Sequence, residues 1–453
     1  MRQHPTPSTA STSFKWLLVG SALLGLSSTA SSMDLLQAFE AAQKNDATIL
    51  AARATAVAER ERLPQARAQL LPNLSANLSE NKNQLKSVTP NFLGVEQTSR
   101  TNYPSSNQTL SLRQPLYRPQ LVAQYRQARA LVDDAESTLQ QEEQNLAVRV
   151  SSAYFEAMLT HDQLALILAQ QSAYTAQLDA ARKSFAAGSG IRTDIDEAQS
   201  RIDMNRALEI EARQNVTYTL QQLQTLVSEP IEKISTLNVA QLLLQNPQPD
   251  SLTDWIARAE LNSPQLQSLK SRVEVARQEI KKAQSGHLPT LDAVAQWSNS
   301  KSESITNTSS SYTNNAIGLQ LNIPLFAGGY VNSQVRQTLA GLGRAEQSLE
   351  AARRDFSLRV HKEFRGVTEN IPKIRALEQA LRSSDQLVLS SRKSMQAGSR
   401  TVLDILNAEQ QRVLVLRDLA QARYMYLISK VRLLALAGDA DHAALASINQ
   451  VLQ

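Results

Sequence analysis

The chain contains no cysteine. That absence removes disulfides, thiolate nucleophiles, cysteine-type zinc sites and iron–sulfur clusters together. It also removes the lipid-acceptor cysteine of a lipoprotein, so any membrane attachment must come from the fold. The five histidines (His4, His161, His287, His361 and His442) lie far apart, and none sits in an H-E-x-x-H arrangement. A G-x-S-x-G elbow and a phosphate-cradling glycine loop are also missing, so the residues assemble no catalytic, cofactor or metal constellation and point away from an enzyme. Gly (14) and Pro (15) are too few for a chain made wholly of short strands and turns. The net charge is +5, yet the arginines are scattered along amphipathic segments and form no basic stripe, which argues against nucleic acid as a partner.

Long apolar runs are missing too. The richest internal ones, Leu164 to Ala169 and Leu433 to Ala437, fall far short of the roughly 20 residues of a spanning helix. At the N-terminus Arg2 and Lys15 precede an apolar stretch from Trp16 to Leu26, followed by the small residues Ser28, Thr29 and Ala30. This pattern predicts a secretory signal peptide over residues 1–30, with a run too short for an anchor. An exported chain with no spanning helix is either soluble or crosses lipid as a closed β-barrel.

What is present is a duplication. Residues 182–198 laid over 392–408 repeat nine of seventeen positions without a gap: Arg, Lys, Ser, Ala, Gly, Ser, Asp, Ile and Ala. The same offset of 210 pairs Arg126-Gln127 with Arg336-Gln337 and Arg149-Val150 with Arg359-Val360. Nearby offsets pair Gln114-Pro115-Leu116-Tyr117 with Ile323-Pro324-Leu325-Phe326, and Leu71-Pro72-Asn73-Leu74 with Leu288-Pro289-Thr290-Leu291. Residues 34–228 and 251–437 are therefore two copies of one unit, joined by a polar linker at 229–250. Residues 438–453 follow as a short polar extension.

Ala, Gln, Leu, Arg and Glu dominate each copy and favour long helices. Heptad seams run through residues 119–158 (Tyr125, Ala128, Val132, Ala135, Leu139) and 402–437 (Val402, Leu406, Val413, Leu416, Ala420), so these helices should pack side by side as coiled coils. Further helices are expected at 34–70, 161–185, 193–227, 251–284, 328–370 and 371–395. Taken as one rod, 119–185 spans about 100 Å, a tunnel length.

Between the helices the period changes to two. Leu74, Ala76 and Leu78 alternate with Ser75, Asn77 and Ser79, and Leu110 and Leu112 with Thr109, Ser111 and Arg113. In the second copy Leu291, Ala293, Ala295 and Trp297 face one way, as do Ile317, Leu319, Leu321 and Ile323. Segments of roughly 9–11 residues with this alternation suit tilted transmembrane strands, with the apolar set facing lipid. An ordinary half-buried sheet satisfies the same alternation. Two features favour the barrel: the strands flank Ser/Thr/Asn-rich stretches, Asn81 to Ser106 and Ser298 to Asn314, that suit outer loops, and no apolar segment remains to cover a sheet. Four strands cannot close a barrel alone, whereas three chains supply twelve. The expected fold is thus mainly α, with a long coiled-coil α-barrel and a transmembrane β-barrel completed by a homotrimer. Pro115 and Pro324 should mark the strand-to-helix transitions.

The order helix–strand–strand–helix–helix–helix, given twice, together with the paired F/M-x-A-G-x-x-x-x-x-D motifs at 185–194 and 395–404, resembles the outer-membrane efflux protein family of TolC-like channels. The resemblance covers about Asp34 to Gly438. It implies an outer-membrane, trimeric export channel with a periplasmic extension, exporting small molecules or, in type I secretion, proteins. Its partners would be a periplasmic adaptor and an inner-membrane transporter. It further implies a pore constriction at Asp404, with Asn407 where the family has a second acidic residue. A gate lock is implied at Arg400, Thr193 and Asp194, with Met395 replacing the family's tyrosine and unable to donate its hydrogen bond. Thr193 and Asp194 equally suit helix capping. Gly188 and Gly398 are expected to end helices at the periplasmic tip, beside the adaptor-docking candidates Arg182, Lys183, Ser189, Arg392, Lys393 and Ser399. A rival reading is a periplasmic coiled-coil adaptor or scaffold without a pore, which explains the heptads but not the duplicated strands.

Overall fold

The computed structural model describes residues 32–302 and 310–452. The expected signal peptide and residues 303–309 of the second outer loop lie outside the described residues. The elements run α1 (Leu35–Asn45), α2 (Ala47–Arg60), α3 (Arg62–Ala68), β1 (Asn73–Pro90), β2 (Glu96–Tyr117), α4 (Pro119–Ala186) and α5 (Arg192–Val227). After the linker come α6 (Leu252–Asn262), α7 (Pro264–Gln284), β3 (Thr290–Ser302), β4 (Ser310–Asn322), α8 (Tyr330–Thr368), α9 (Asn370–Gln396), α10 (Val402–Leu436) and α11 (His442–Asn449).

The four strands form one antiparallel sheet in the order β1-β2-β3-β4. Its register aligns the apolar set in rows: Leu74 opposite Leu112, Leu112 opposite Ala295, and Ala295 opposite Ile317. Residues directly opposite one another share a face, because side chains alternate along each strand. One face is therefore mainly apolar from Leu291 to Trp297, about 20 Å along the strand, interrupted by Gln114 and Asn315. No helix among the described residues covers it: Ile317 is 92% exposed, Leu319 69%, Leu74 64%. Ile323, expected on β4, lies just beyond its end. Among the described residues β1 and β4 are open edges.

The strands are longer than their apolar cores imply. β1 has 18 residues and β2 has 22, so most of the stretch 81–106, read as a loop, is hairpin. Its Ser, Thr, Asn and Val residues sustain the ladder, and the turn narrows to Asn91–Val95. There the Asn91 side chain accepts from the backbone N–H groups of Leu93 and Val95, while Gly94 takes φ +81°. Pro115 sits at a β-bulge next to the end of β2, and Pro119 opens α4, where its missing N–H costs nothing.

α4 is a single helix of 68 residues, about 100 Å long. Its counterpart in the second copy is broken: α8 stops at Thr368 and α9 begins at Asn370. Pro372 is the cause, since it cannot donate to the carbonyl four residues back. The 34–70 segment likewise divides into three helices, with Asp46 capping α2 (2.9 Å to the Ile49 N–H). The 251–284 segment divides at Ser263-Pro264, where Pro again opens a new helix. At Gly366 the crossing of α8 and α10 is so close that a Cβ would lie 2.4 Å from Ser429 Oγ.

The main core sits midway along the rod, where Phe39, Leu146, Tyr154, Phe155, Trp255, Phe356, Tyr424 and Leu433 pack together. The tail contributes to it, contrary to the reading of a polar extension. Asp441 caps α11, Leu445 and Ile448 are buried, and Asn449 accepts a hydrogen bond from the Leu35 N–H at 3.1 Å. A second, smaller core of Tyr174, Leu178, Ala198, Ile202, Val402 and Leu406 lies near the far end of the rod.

Candidate functional site

That far end is built from two helical hairpins, α4–α5 and α9–α10, which turn in the same way. Ala187 and Ala397 end their helices, and Gly188 and Gly398 follow at φ +72° and +75°. In each turn the next serine donates its N–H to a carbonyl five residues back, Ser189 to Ser184 (3.0 Å) and Ser399 to Ser394 (2.9 Å). This is the Schellman pattern, and it requires the left-handed residue that glycine supplies. Arg182, Lys183, Ser189, Lys393 and Ser399 are exposed around the turns. Arg392 is exposed too, but it is tied back to Glu409 of α10 at 2.5 Å.

Asp404 stands in the first turn of α10 and forms a capping box with Thr401. The carboxylate accepts from the Thr401 N–H and hydroxyl, both at 2.9 Å, and the hydroxyl accepts the Asp404 N–H. The backbone N–H of Thr401, then its hydroxyl, and finally the nearby Arg400 charge hold the Asp404 carboxyl below the usual carboxylate range. Asn407, one turn on, is exposed and accepts from Arg201 of α5 at 3.0 Å, while the same guanidinium reaches Gln410 at 2.6 Å. Asn407, expected at the pore constriction, thus also bridges the two hairpins.

The expected pairing of Arg400 with Asp194 does not form inside the chain. Arg400 donates to Ser391 Oγ at 2.9 Å, and among the described residues no hydrogen bond or ion pair joins it to Asp194. Thr193 does not cap α5 either. The N-cap is Ile191, which has no side-chain oxygen, and Thr193 and Asp194 follow inside the first turn. Met395 packs against the small tip core, and its sulfur lies 4.0 Å from the Gln177 side-chain nitrogen.

Other polar contacts, most of them between residues the sequence did not single out, hold the hairpins together. Between α9 and α10 three arginine–carboxylate pairs form: Arg392–Glu409, Arg412–Asp385 (2.5 Å) and Arg423–Glu378 (2.8 Å). Each pair is nearly symmetric about residue 400, as an antiparallel hairpin demands, and that mirror relation was available in the sequence. Between α4 and α5 the contacts are neutral: Thr160 with Thr219 at 2.8 Å, and Asn205 with Gln171 at 2.8 Å. Across the hairpins the Tyr424 hydroxyl donates to Asp162 at 2.7 Å. Burial pushes the Asp162 carboxyl and the Tyr424 phenol upward, and burial lowers Lys430 further along α10.

The chain matches the outer membrane efflux protein family over residues 38–229 and 255–439. It belongs to that family. Among curated relatives it is 34% identical to the alkaline protease secretion protein AprF of Pseudomonas aeruginosa, over 95% of this chain and 89% of that protein. It is 31% identical to the proteases secretion protein PrtF of Dickeya chrysanthemi (90% and 89%) and 28% identical to the outer membrane protein TolC of Escherichia coli (96% and 88%). Solved structures share the fold: the outer-membrane channel OprN (TM-score 0.77, 16% identity, 89% of this chain and 90% of that one) and VceC of Vibrio cholerae (TM-score 0.76, 17% identity, 90% and 97%). The chain is an outer-membrane export channel with a periplasmic tunnel. That resolves the choice between channel and poreless adaptor in favour of the channel.

Proposed function

We propose that three copies of this chain close into a twelve-stranded barrel in the outer membrane above a continuous helical tunnel, and that the tunnel exports a polypeptide in type I secretion. One observation carries the trimer: a sheet with an uncovered apolar face and two free edges. An exposed band of Leu and Ile is costly in water and favourable in lipid. In hydrocarbon the unpaired N–H and C=O groups of β1 and β4 must find partners. The β4 edge of one copy supplies them to the β1 edge of the next. Polypeptide cargo is favoured by identity, which is higher to the two protease secretion proteins than to TolC.

In this assembly the hairpin turns face the periplasm. An adaptor docks on Arg182, Lys183, Gly188, Ser189, Lys393, Gly398 and Ser399, and Arg392 joins them while bracing Glu409. The adaptor connects the tunnel to an inner-membrane transporter. Three Asp404 carboxylates form the anionic constriction, with neutral Asn407 one turn away. The lock is then a contact between neighbouring chains, in which Arg400 reaches a partner's Thr193 and Asp194 and Met395 adds only packing. Purified protein in planar bilayers tests the trimeric, gated channel. A small conductance that rises when Arg400→Ala or Asp194→Ala is introduced supports the gated channel. A water-soluble monomer, or folded trimers that stay silent in both variants, would refute it.

A further inference from the structure

Opposite the apolar face, the sheet presents mostly Ser, Thr, Asn, Gln and small residues, together with Leu85, Tyr103, Val294 and Tyr312. Among the described strand residues this second face carries only two charged side chains, Arg113 and Asp292. The other strand charges, Glu80, Lys82, Lys86, Glu96, Arg100 and Lys301, all fall on the apolar face's side of the register, and Glu80, Lys82, Lys86 and Lys301 project above the apolar band. Arg113 and Asp292 sit together at the lower end of the sheet, where it meets α4. Asp292 is 2% exposed. Its carboxylate accepts from Arg113 Nε at 3.0 Å and from Arg118 Nε at 2.8 Å, and both guanidiniums add a second nitrogen at 2.5 Å. Two guanidiniums against one carboxylate leave one net positive charge per chain, and half of the Arg113 side chain remains accessible (51%).

We propose that Arg113, held by Asp292 and Arg118, forms a cationic collar at the base of an otherwise neutral barrel lumen and sets the preference of the barrel for anions and acidic segments. The inference rests on the trimeric barrel proposed above, in which lipid takes the apolar face and the lumen takes the other. Three copies place three net positive charges around one ring, with no charged strand residue near them on that face. A ring of like charge at a constriction raises the local concentration of counter-ions and repels co-ions. The collar opposes the Asp404 constriction at the other end of the tunnel. The two ends therefore discriminate oppositely, and the gate alone does not decide charge selectivity.

The absence of cysteine makes the test clean. Arg113→Cys trimers, made in an Arg400→Ala background to widen the gate, are recorded in planar bilayers under a KCl gradient. They are then treated with thiol reagents of opposite charge. Asp292 keeps Arg118 as its bidentate partner, so the rivet between sheet and helix survives. A sulfonate reagent should lower the anion-to-cation permeability ratio by about two- to threefold, and an ammonium reagent should restore it. Asp292→Asn should shift the ratio the other way. If the introduced thiol does not react from the aqueous phase, or reacts with no change in the ratio while the trimers conduct, the collar is refuted. If the parent trimers never conduct, the channel reading fails and takes the collar with it.

Discussion

The two hairpins at the far end of the rod repeat one sequence pattern, yet different polar contacts cross their seams. Both end in the same glycine turn. In α9–α10, however, three arginine–carboxylate pairs cross the helices and a Thr401–Asp404 box caps the second helix. In α4–α5 the crossing contacts are hydroxyls and amides, and α5 starts at Ile191 with no side-chain cap. Duplication preserved the backbone solution, which glycine and helix geometry enforce. The polar contacts were free to diverge, because several residue combinations satisfy the same seam. The seam of α9–α10 is therefore expected to respond to salt more than the seam of α4–α5.

The sharpest way to break the comparison is to unpair a sheltered charge in the second hairpin. Arg392→Ala leaves the Glu409 carboxylate, with a side chain only 10% exposed, without its partner. The expected loss is about 2–4 kcal/mol in thermal unfolding, with most of it returned by adding Glu409→Gln. Equal melting of single and double variants would show that the pair contributes nothing. No comparable effect is expected from Arg182→Ala, the equivalent position in the first hairpin, for which no ion pair is formed among the described residues.

Somewhat smaller is the contact that joins the hairpins. Tyr424→Phe removes the donor to Asp162 and strands a half-desolvated carboxyl, at a cost of about 1–3 kcal/mol. Asp162→Asn keeps an acceptor and removes the burden of ionisation, so it should be close to neutral at pH 7. Should the asparagine variant prove the weaker of the two, the carboxylate itself is what α10 needs.

Exchanging the caps sharpens the contrast further. Thr401→Ala should cost about 1 kcal/mol. Ile191→Thr should add a fraction of that, since Asp194 already occupies the box position three residues on. Hydrogen exchange in the first turns of α10 and α5 reads both changes. Identical protection in the parent and variant proteins would remove capping from the account.

Smallest is the solution dependence. Asp404 has its carboxyl lowered in the folded chain, so its contribution is complete above the ordinary carboxylate range and disappears as pH falls through the lowered value. Asp162 has the opposite sign: its raised carboxyl opposes folding once ionised, and this penalty vanishes on acidification. Going from pH 7 to pH 3 should thus loosen the start of α10 while leaving the Asp162–Tyr424 crossing intact or tighter. Raising salt to 1 M should weaken protection in α9–α10 and spare α4–α5. A uniform response of both hairpins would erase the distinction.

Much of this architecture is legible in the sequence. The single rod of α4 and the glycine turns followed from period and residue type. So did the alternation of the four strands, because each of these is decided by residues close in sequence. The break before Pro372 is equally local: the helices expected at 328–370 and 371–395 meet within two residues of the observed boundary between Thr368 and Asn370. The length of β1 and β2 is not legible there, since polar strand residues resemble loop residues until a partner strand completes their ladder. At the tip, the residue types proved informative and the pairings did not. Arg400 meets Ser391 and Asn407 meets Arg201, and neither contact follows from spacing along one helix.

The amino-acid order by itself determined the duplicated plan, the helical rods, the turns and the two-faced strands, for all of these arise from backbone preference and hydrophobic period over a few residues. Only the tertiary structure decided which charges are paired, which face of the sheet is neutral, and where Asp292 gathers two arginines. Those outcomes depend on the registers of hairpins and strands, which bring together residues as far apart as 113 and 292, and a small shift of register would assign every one of them a different partner.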